Sequence, residues 1–192
     1  MRVVRALALH QARMWADLAR WARRRRTGEG QRLAYTRGQG ATTAALVFVC
    51  VVETVGMAVL LREYPVAHRV VFALDVYTVV LVLGLYASCV VRPHLLAGDA
   101  LRVRYGGQVD LRLPHDRIAG VRRETRFSHA EVDGELNLAV GGQTSVTLEL
   151  TEPVVHRGLL GRGREVRVVR FHADDADTVV REIRRAGEVR LV

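Results

Sequence analysis

Two apolar runs constrain this chain more than anything else in it. Residues 41–61 (ATTAALVFVCVVETVGMAVLL) and 70–91 (VVFALDVYTVVLVLGLYASCVV) each contain a single charged residue, Glu53 in the first and Asp75 in the second. A bilayer core ~30 Å thick is crossed by ~20 helical residues at ~1.5 Å each, and both runs reach that length. Only residues 62–69 (REYPVAHR) lie between them, and Pro65 with the flanking charges is expected to interrupt the helix there. A linker this short makes the two helices antiparallel neighbours. The sequence thus predicts a transmembrane hairpin.

Charge orients it. All 29 basic residues are Arg, and the net charge is +9. Ten of these Arg precede residue 41, opposed only by Asp17 and Glu29, so that arm carries +8 and the remainder +1. Arg23, Arg24, Arg25, Arg26, Arg32 and Arg37 lie within ~20 residues of the first run, which places both termini on the cytoplasmic side by the positive-inside rule. A nearly neutral remainder argues against nucleic acid as a partner and for the anionic lipid of the inner leaflet.

Residues 1–26 read as an amphipathic helix with Arg between Val3, Val4, Leu7, Met14, Trp15, Leu18 and Ala22. As an interfacial helix it would set Trp15 and Trp21 into the headgroup boundary while Arg23, Arg24, Arg25 and Arg26 meet anionic lipid. The competing reading makes it a cytosolic helix packed on the soluble domain, or a coiled-coil contact. Residues 27–40 (TGEGQRLAYTRGQG) read as a Gly-rich linker, so the expected division is 1–40, 41–92 and 93–192.

With both ends inside, Glu53 and Asp75 fall about eight and five residues from the outer ends of their helices, within ~5 Å of one depth. Intramembrane acids are costly and usually face protein or water. One reading makes them a proton- or cation-handling pair in an oligomer. The plainer one lets Asp75 reach the outer interface near His68 and Arg69 while Glu53 hydrogen-bonds another helix through Thr54, Tyr77 or Thr78. Cys50 and Cys89 differ in depth by roughly 10 Å, too far for a disulfide.

From Pro93 the pattern alternates. Residues 99–105 and 109–113 flank Gly106-Gly107 as a hairpin, 118–126 continue as a strand, 134–140 and 145–150 flank Gly141-Gly142 as a second hairpin, and 165–171 form another strand. Residues 174–186 close the chain as a helix capped by Asp174 or Asp175, ended by Gly187 and buried along Val179, Val180 and Ile183. Six or seven antiparallel strands and one helix are expected, an α+β membrane protein.

The segments LRVRYGG (101–107) and LPHDRI (113–118), leading to Val121, resemble the bacterial pleckstrin-homology-like (PH-like) domain that accompanies paired transmembrane helices in uncharacterised membrane proteins. The resemblance spans residues 93–187 with the preceding hairpin. It implies a partly open barrel or sandwich of two sheets with the last helix plugging one end. It implies neither phosphoinositide binding nor a catalytic residue.

Chemistry-bearing motifs are sparse. The seven histidines are scattered, and no HExxH, CxxC, nucleophile elbow or Walker loop occurs, so neither a metal, a cofactor nor an enzymatic reaction is expected. His172 stands at a strand-to-helix junction, where a turn role is expected. The loop GLLGRGR (158–164) has more character: Arg157, Leu159, Leu160, Arg162 and Arg164 would contact headgroups or a protein partner. The resulting expectation is a non-enzymatic integral membrane protein whose hairpin anchors a cytoplasmic PH-like domain for protein binding or self-association. The alternative is a small oligomeric transporter using Glu53 and Asp75.

Overall fold

The computed structural model of this chain describes residues 2–25, 27–127, 132–158 and 163–188. Its spine is a hairpin of two long helices, α2 (Gln39–Leu60) and α3 (Pro65–Val91). Both are long and apolar enough to cross a membrane. They are joined by residues 61–64 alone, because Pro65 opens α3 instead of ending a helix. At the first helical position a missing N–H costs nothing and the fixed φ suits the turn. The second helix therefore starts five residues before the apolar pattern does.

After α3 the chain forms two four-stranded sheets. The first has the order β1-β2-β3-β4, from β1 (Gln31–Leu33), β2 (His94–Leu96), β3 (Ala100–Tyr105) and β4 (Val109–Pro114). The second has the order β5-β7-β8-β6, from β5 (Ile118–Arg126), β6 (Glu135–Leu138), β7 (Thr144–Arg157) and β8 (Gly163–Phe171). The hairpin at Gly106-Gly107 forms as expected, pairing Leu101 with Leu113 and Val103 with Leu111. Alternation sends those side chains inward, where they meet Val146, Leu148, Val169 and Phe171 of the second sheet in one core. The last helix, α4 (Ala176–Glu188), adds Val179, Val180 and Ile183 to it. The Thr178 N–H donates to Asp175 Oδ1 at 3.0 Å, so Asp175 is the cap, and the helix continues through Gly187.

Three expectations are corrected. Among the described residues there are eight strands where six or seven were expected, and they pack face to face as two sheets, the sandwich alternative, without the backbone pairing that would close a barrel. The second expected hairpin does not form either, since β6 pairs in parallel with β8, and only a Val140–Gln143 bridge spans the Gly141-Gly142 turn. Arg170 of β8, buried on that side, pairs with Glu135 at the start of β6 and favours this partner. Third, the Gly-rich segment is not merely a linker, because its residues 31–33 add a strand to β2.

The first helix, α1 (Arg2–Ala22), ends four residues before Arg26. Arg24 takes a left-handed turn at φ 54°, and the Arg25 N–H donates back to the Arg20 carbonyl at 2.8 Å, a Schellman-like close.

Candidate functional site

The folded parts converge where α3 runs into β2, with only Arg92 and Pro93 between them. A helix ends with carbonyls that lack intrahelical partners, and here the preceding segment supplies donors. The N–H and hydroxyl of Thr27 both donate to the Val91 carbonyl, at 3.1 and 3.2 Å. The Tyr35 hydroxyl donates to the Arg92 carbonyl at 3.3 Å and accepts the Gly106 N–H at 3.0 Å. Tyr35 is 1% exposed, and burial pushes its phenol above the ordinary range. Gly28, at φ +101°, allows the segment to lie on β2, since a Cβ there would stand 2.2 Å from Leu95 Cδ1.

His94 is the inner anchor of this junction. Its Nδ1 accepts the Arg104 N–H at 3.0 Å, which leaves Nε2 protonated to donate to the His172 carbonyl at 3.0 Å. Its ring lies between Tyr35 and Phe171, with centroids 4.5 and 4.8 Å away. Burial, opposed by the bond to the His172 carbonyl, pushes its pKa down to about 4. A neutral imidazole with both nitrogens engaged ties β2, β3 and the end of β8 together. His172 itself contributes its carbonyl there, a structural role in keeping with its place after β8.

Between the ends of α2 and α3 and the sandwich lies a cavity of about 590 Å³. Leu46, Val82 and Leu85 form the upper part of its helical wall and Gly38, Gln39, Thr42 and Thr43, at the start of α2, the lower part, while the Tyr105–Gln108 turn, Gln143 and His172 form its sandwich wall. Tyr35, Tyr86, Ser88, Cys89 and His10 close the remaining side. The described lining holds hydroxyls, amides and imidazoles but no Arg, Asp or Glu. Such a site can bind and orient an uncharged group. Among the described residues no cluster of His, Cys, Asp or Glu is set to hold a metal ion.

Helix α1 crosses the last two turns of α3. Met14 lies against Gly84, where an added Cβ would stand 2.7 Å from Met14 Cγ. The Trp21 and Tyr86 rings meet edge to face at 6.0 Å, and Asp17 accepts hydrogen bonds from Arg92 and Arg20. This packed face is one flank of α1. Beside it Ala8, Ala12, Trp15, Ala19 and Ala22 form an exposed apolar stripe at helical spacing. Arg23, Arg24 and Arg25 are exposed just beyond, and Arg26 lies outside the described residues.

The acids of the two long apolar helices separate. Asp75 faces α2, in a cleft lined also by Thr54, Met57 and His68, and its Oδ2 is buried without a hydrogen-bond partner. Glu53 is exposed and is not part of that cleft's lining. Thr54 and Thr78 each donate to a carbonyl of their own helix, at Cys50 and Leu74. Arg157 ends β7, Arg164 of β8 donates to the Val132 carbonyl, and Leu159, Leu160 and Arg162 lie outside the described residues. Fourteen residues separate Gln143 at the cavity from Arg157, ~40 Å of extended chain.

Asp17, Tyr35 and His94 carry the junction, and no sequence pattern marks them; each has a partner 57 to 78 residues away. No family model, curated protein or solved structure matches this chain.

Proposed function

We propose that this is a two-span membrane protein that holds a non-catalytic, PH-like sandwich against the cytoplasmic face of a bilayer, for binding a protein partner or a second copy of itself. One observation carries the reading. Helix α2 buries no residue against the rest of the chain, although it exposes Leu46, Phe48, Val49, Val52, Val55 and Val59. An apolar surface of that extent requires a cover, and a hydrocarbon core supplies one of the right thickness. The exposed stripe of α1, with Trp15 in it, lies across the inner end of α3, where an interfacial helix would sit. The resemblance of the sandwich to PH-like domains rests on its hairpin-first order and terminal helix.

The end of β7 at Arg157 lies a strand's length along the sandwich from the cavity, which favours a protein there over headgroups. Exposed Val155 stands beside it. Self-association through α2 is supported by Glu53, an acid on a face that otherwise suits lipid. Transport has less behind it, since Glu53 and Asp75 do not converge within one chain.

The reading is tested by alkaline extraction of membranes from cells expressing the full chain, with cysteines substituted at Glu63 and Arg112. Retention in the pellet, with an impermeant maleimide labelling position 63 but not 112 from outside, is the expected result. Release by alkali, or labelling of 112 alone, overturns it.

A further inference from the structure

We infer that the junction cavity binds the polar end of a neutral lipid, one bearing hydroxyl and ester groups in the manner of a diacylglycerol. The inference rests on the membrane reading above. Leu46 lies seven residues into α2 and Val82 nine residues before the end of α3, so the apolar wall rises ~10–14 Å from the inner ends of the helices. In a bilayer that wall stands within the hydrocarbon of the inner leaflet. The opposite wall, with Gln108, Gln143 and His172, belongs to the sandwich and stands below it. The cavity therefore runs across the boundary between hydrocarbon and headgroup, and its ligand has to be apolar at one end and polar at the other.

Charge selects among amphiphiles. A phosphate in this lining would meet the first turn of α2 but no Arg to neutralise it, whereas hydroxyls and ester carbonyls are matched by hydroxyl, amide and imidazole groups. A volume of about 590 Å³ falls within the ordinary range of small-molecule sites, and takes a glyceryl end and the first part of its chains. The rest of the chains would leave between α2 and α3 into the bilayer.

The test uses the full chain in lipid nanodiscs and two probes with the same photoactivatable chains, a diacylglycerol and a phosphatidic acid. The diacylglycerol probe is expected to label peptides containing Leu46 or Leu85 at least ~5-fold more strongly than the phosphatidic acid. Thr43→Trp and Gln108→Trp fill the cavity from opposite walls and should each lower that labelling ~10-fold, while Phe48→Trp, on the outer face of α2, leaves it unchanged. Equal or stronger labelling by phosphatidic acid overturns the inference, as does undiminished labelling in both filled variants. Alkaline extraction is run on every sample. A chain retained in the membrane but unlabelled at the cavity sinks this inference alone, whereas a wild-type chain released by alkali sinks the membrane reading as well.

Discussion

Asp17 of α1 receives two hydrogen bonds from Arg92, at 2.7 and 3.1 Å, across 75 residues of sequence. The carboxylate is fully buried and takes a third bond from Arg20 at 2.8 Å. Removing one member of such a group strands the other's charge. Asp17→Asn is expected to lower stability by ~2–3 kcal/mol, the scale of a buried hydrogen bond to a charged group. Thermal unfolding of the full chain checks the size, and hydrogen exchange checks the place. Exchange should rise first in α1, and the Asp17→Leu, Arg92→Leu double variant should lose less than the two single losses added together.

His94 gives the fold a pH dependence. Its ordinary pKa of 6.5 falls to about 4 in the folded chain, so the unfolded state binds the proton more readily. The stabilisation is complete above about pH 6.5 and declines as pH falls toward 4, by ~3 kcal/mol over that window. The measurement is the difference in melting temperature between pH 7.5 and pH 4.5, compared with the same difference in His94→Gln. The variant should melt lower at pH 7.5 and show a smaller drop. An equal drop in both proteins would assign the dependence to other groups.

Much of the architecture was legible, for local reasons. The β3–β4 hairpin follows from strict alternation around Gly106-Gly107, and α4 from its acidic start and the spacing of Val179, Val180 and Ile183. The hairpin of long helices needed only length and hydrophobicity. What sequence missed depends on distant partners. Strand β1 is three residues with one apolar side chain, and it exists because β2 offers an edge. The four residues of β6 alternate well enough to pair with β7 across a glycine turn, but Arg170 draws their start to β8. Pro65 was ambiguous, since proline both breaks helices and begins them. The junction and its cavity were illegible, because Tyr35, His94 and Gln143 meet only after both sheets and the helices are in place.

Gly84 sets how closely α1 approaches α3. An alanine Cβ would press on Met14 Cγ at 2.7 Å and Sδ at 2.9 Å, the middle of a buried side chain that has to shift to admit it. Gly84→Ala is expected to lower stability by ~1–3 kcal/mol. Gly84→Leu cannot be absorbed in this way and should free α1, seen as faster hydrogen exchange over residues 8–22 with the β-strands still protected.

Glu53 tests self-association. Glu53→Leu should weaken oligomers of the full chain in nanodiscs or detergent, read by cross-linking, while Asp75→Asn, altered on the face already turned to α3's own partner, should not. Oligomers that persist unchanged in Glu53→Leu would place the interface elsewhere. Proton flux from reconstituted vesicles that both variants abolish would instead favour the transport alternative.

Between the end of α3 and the start of β2 there is no slack. Thr27 and Tyr35 hold the last carbonyls of the helix, Arg104 donates to the Thr27 carbonyl at 3.1 Å, and β1 stitches the same segment to β2. The arrangement behaves as a rigid coupling. A rotation of α3 about its axis turns the first sheet with it, and the far end of β7 sweeps the widest arc. Any such turn of the helix is thus amplified at the far end of that strand, like the tip of a pointer fixed to its shaft.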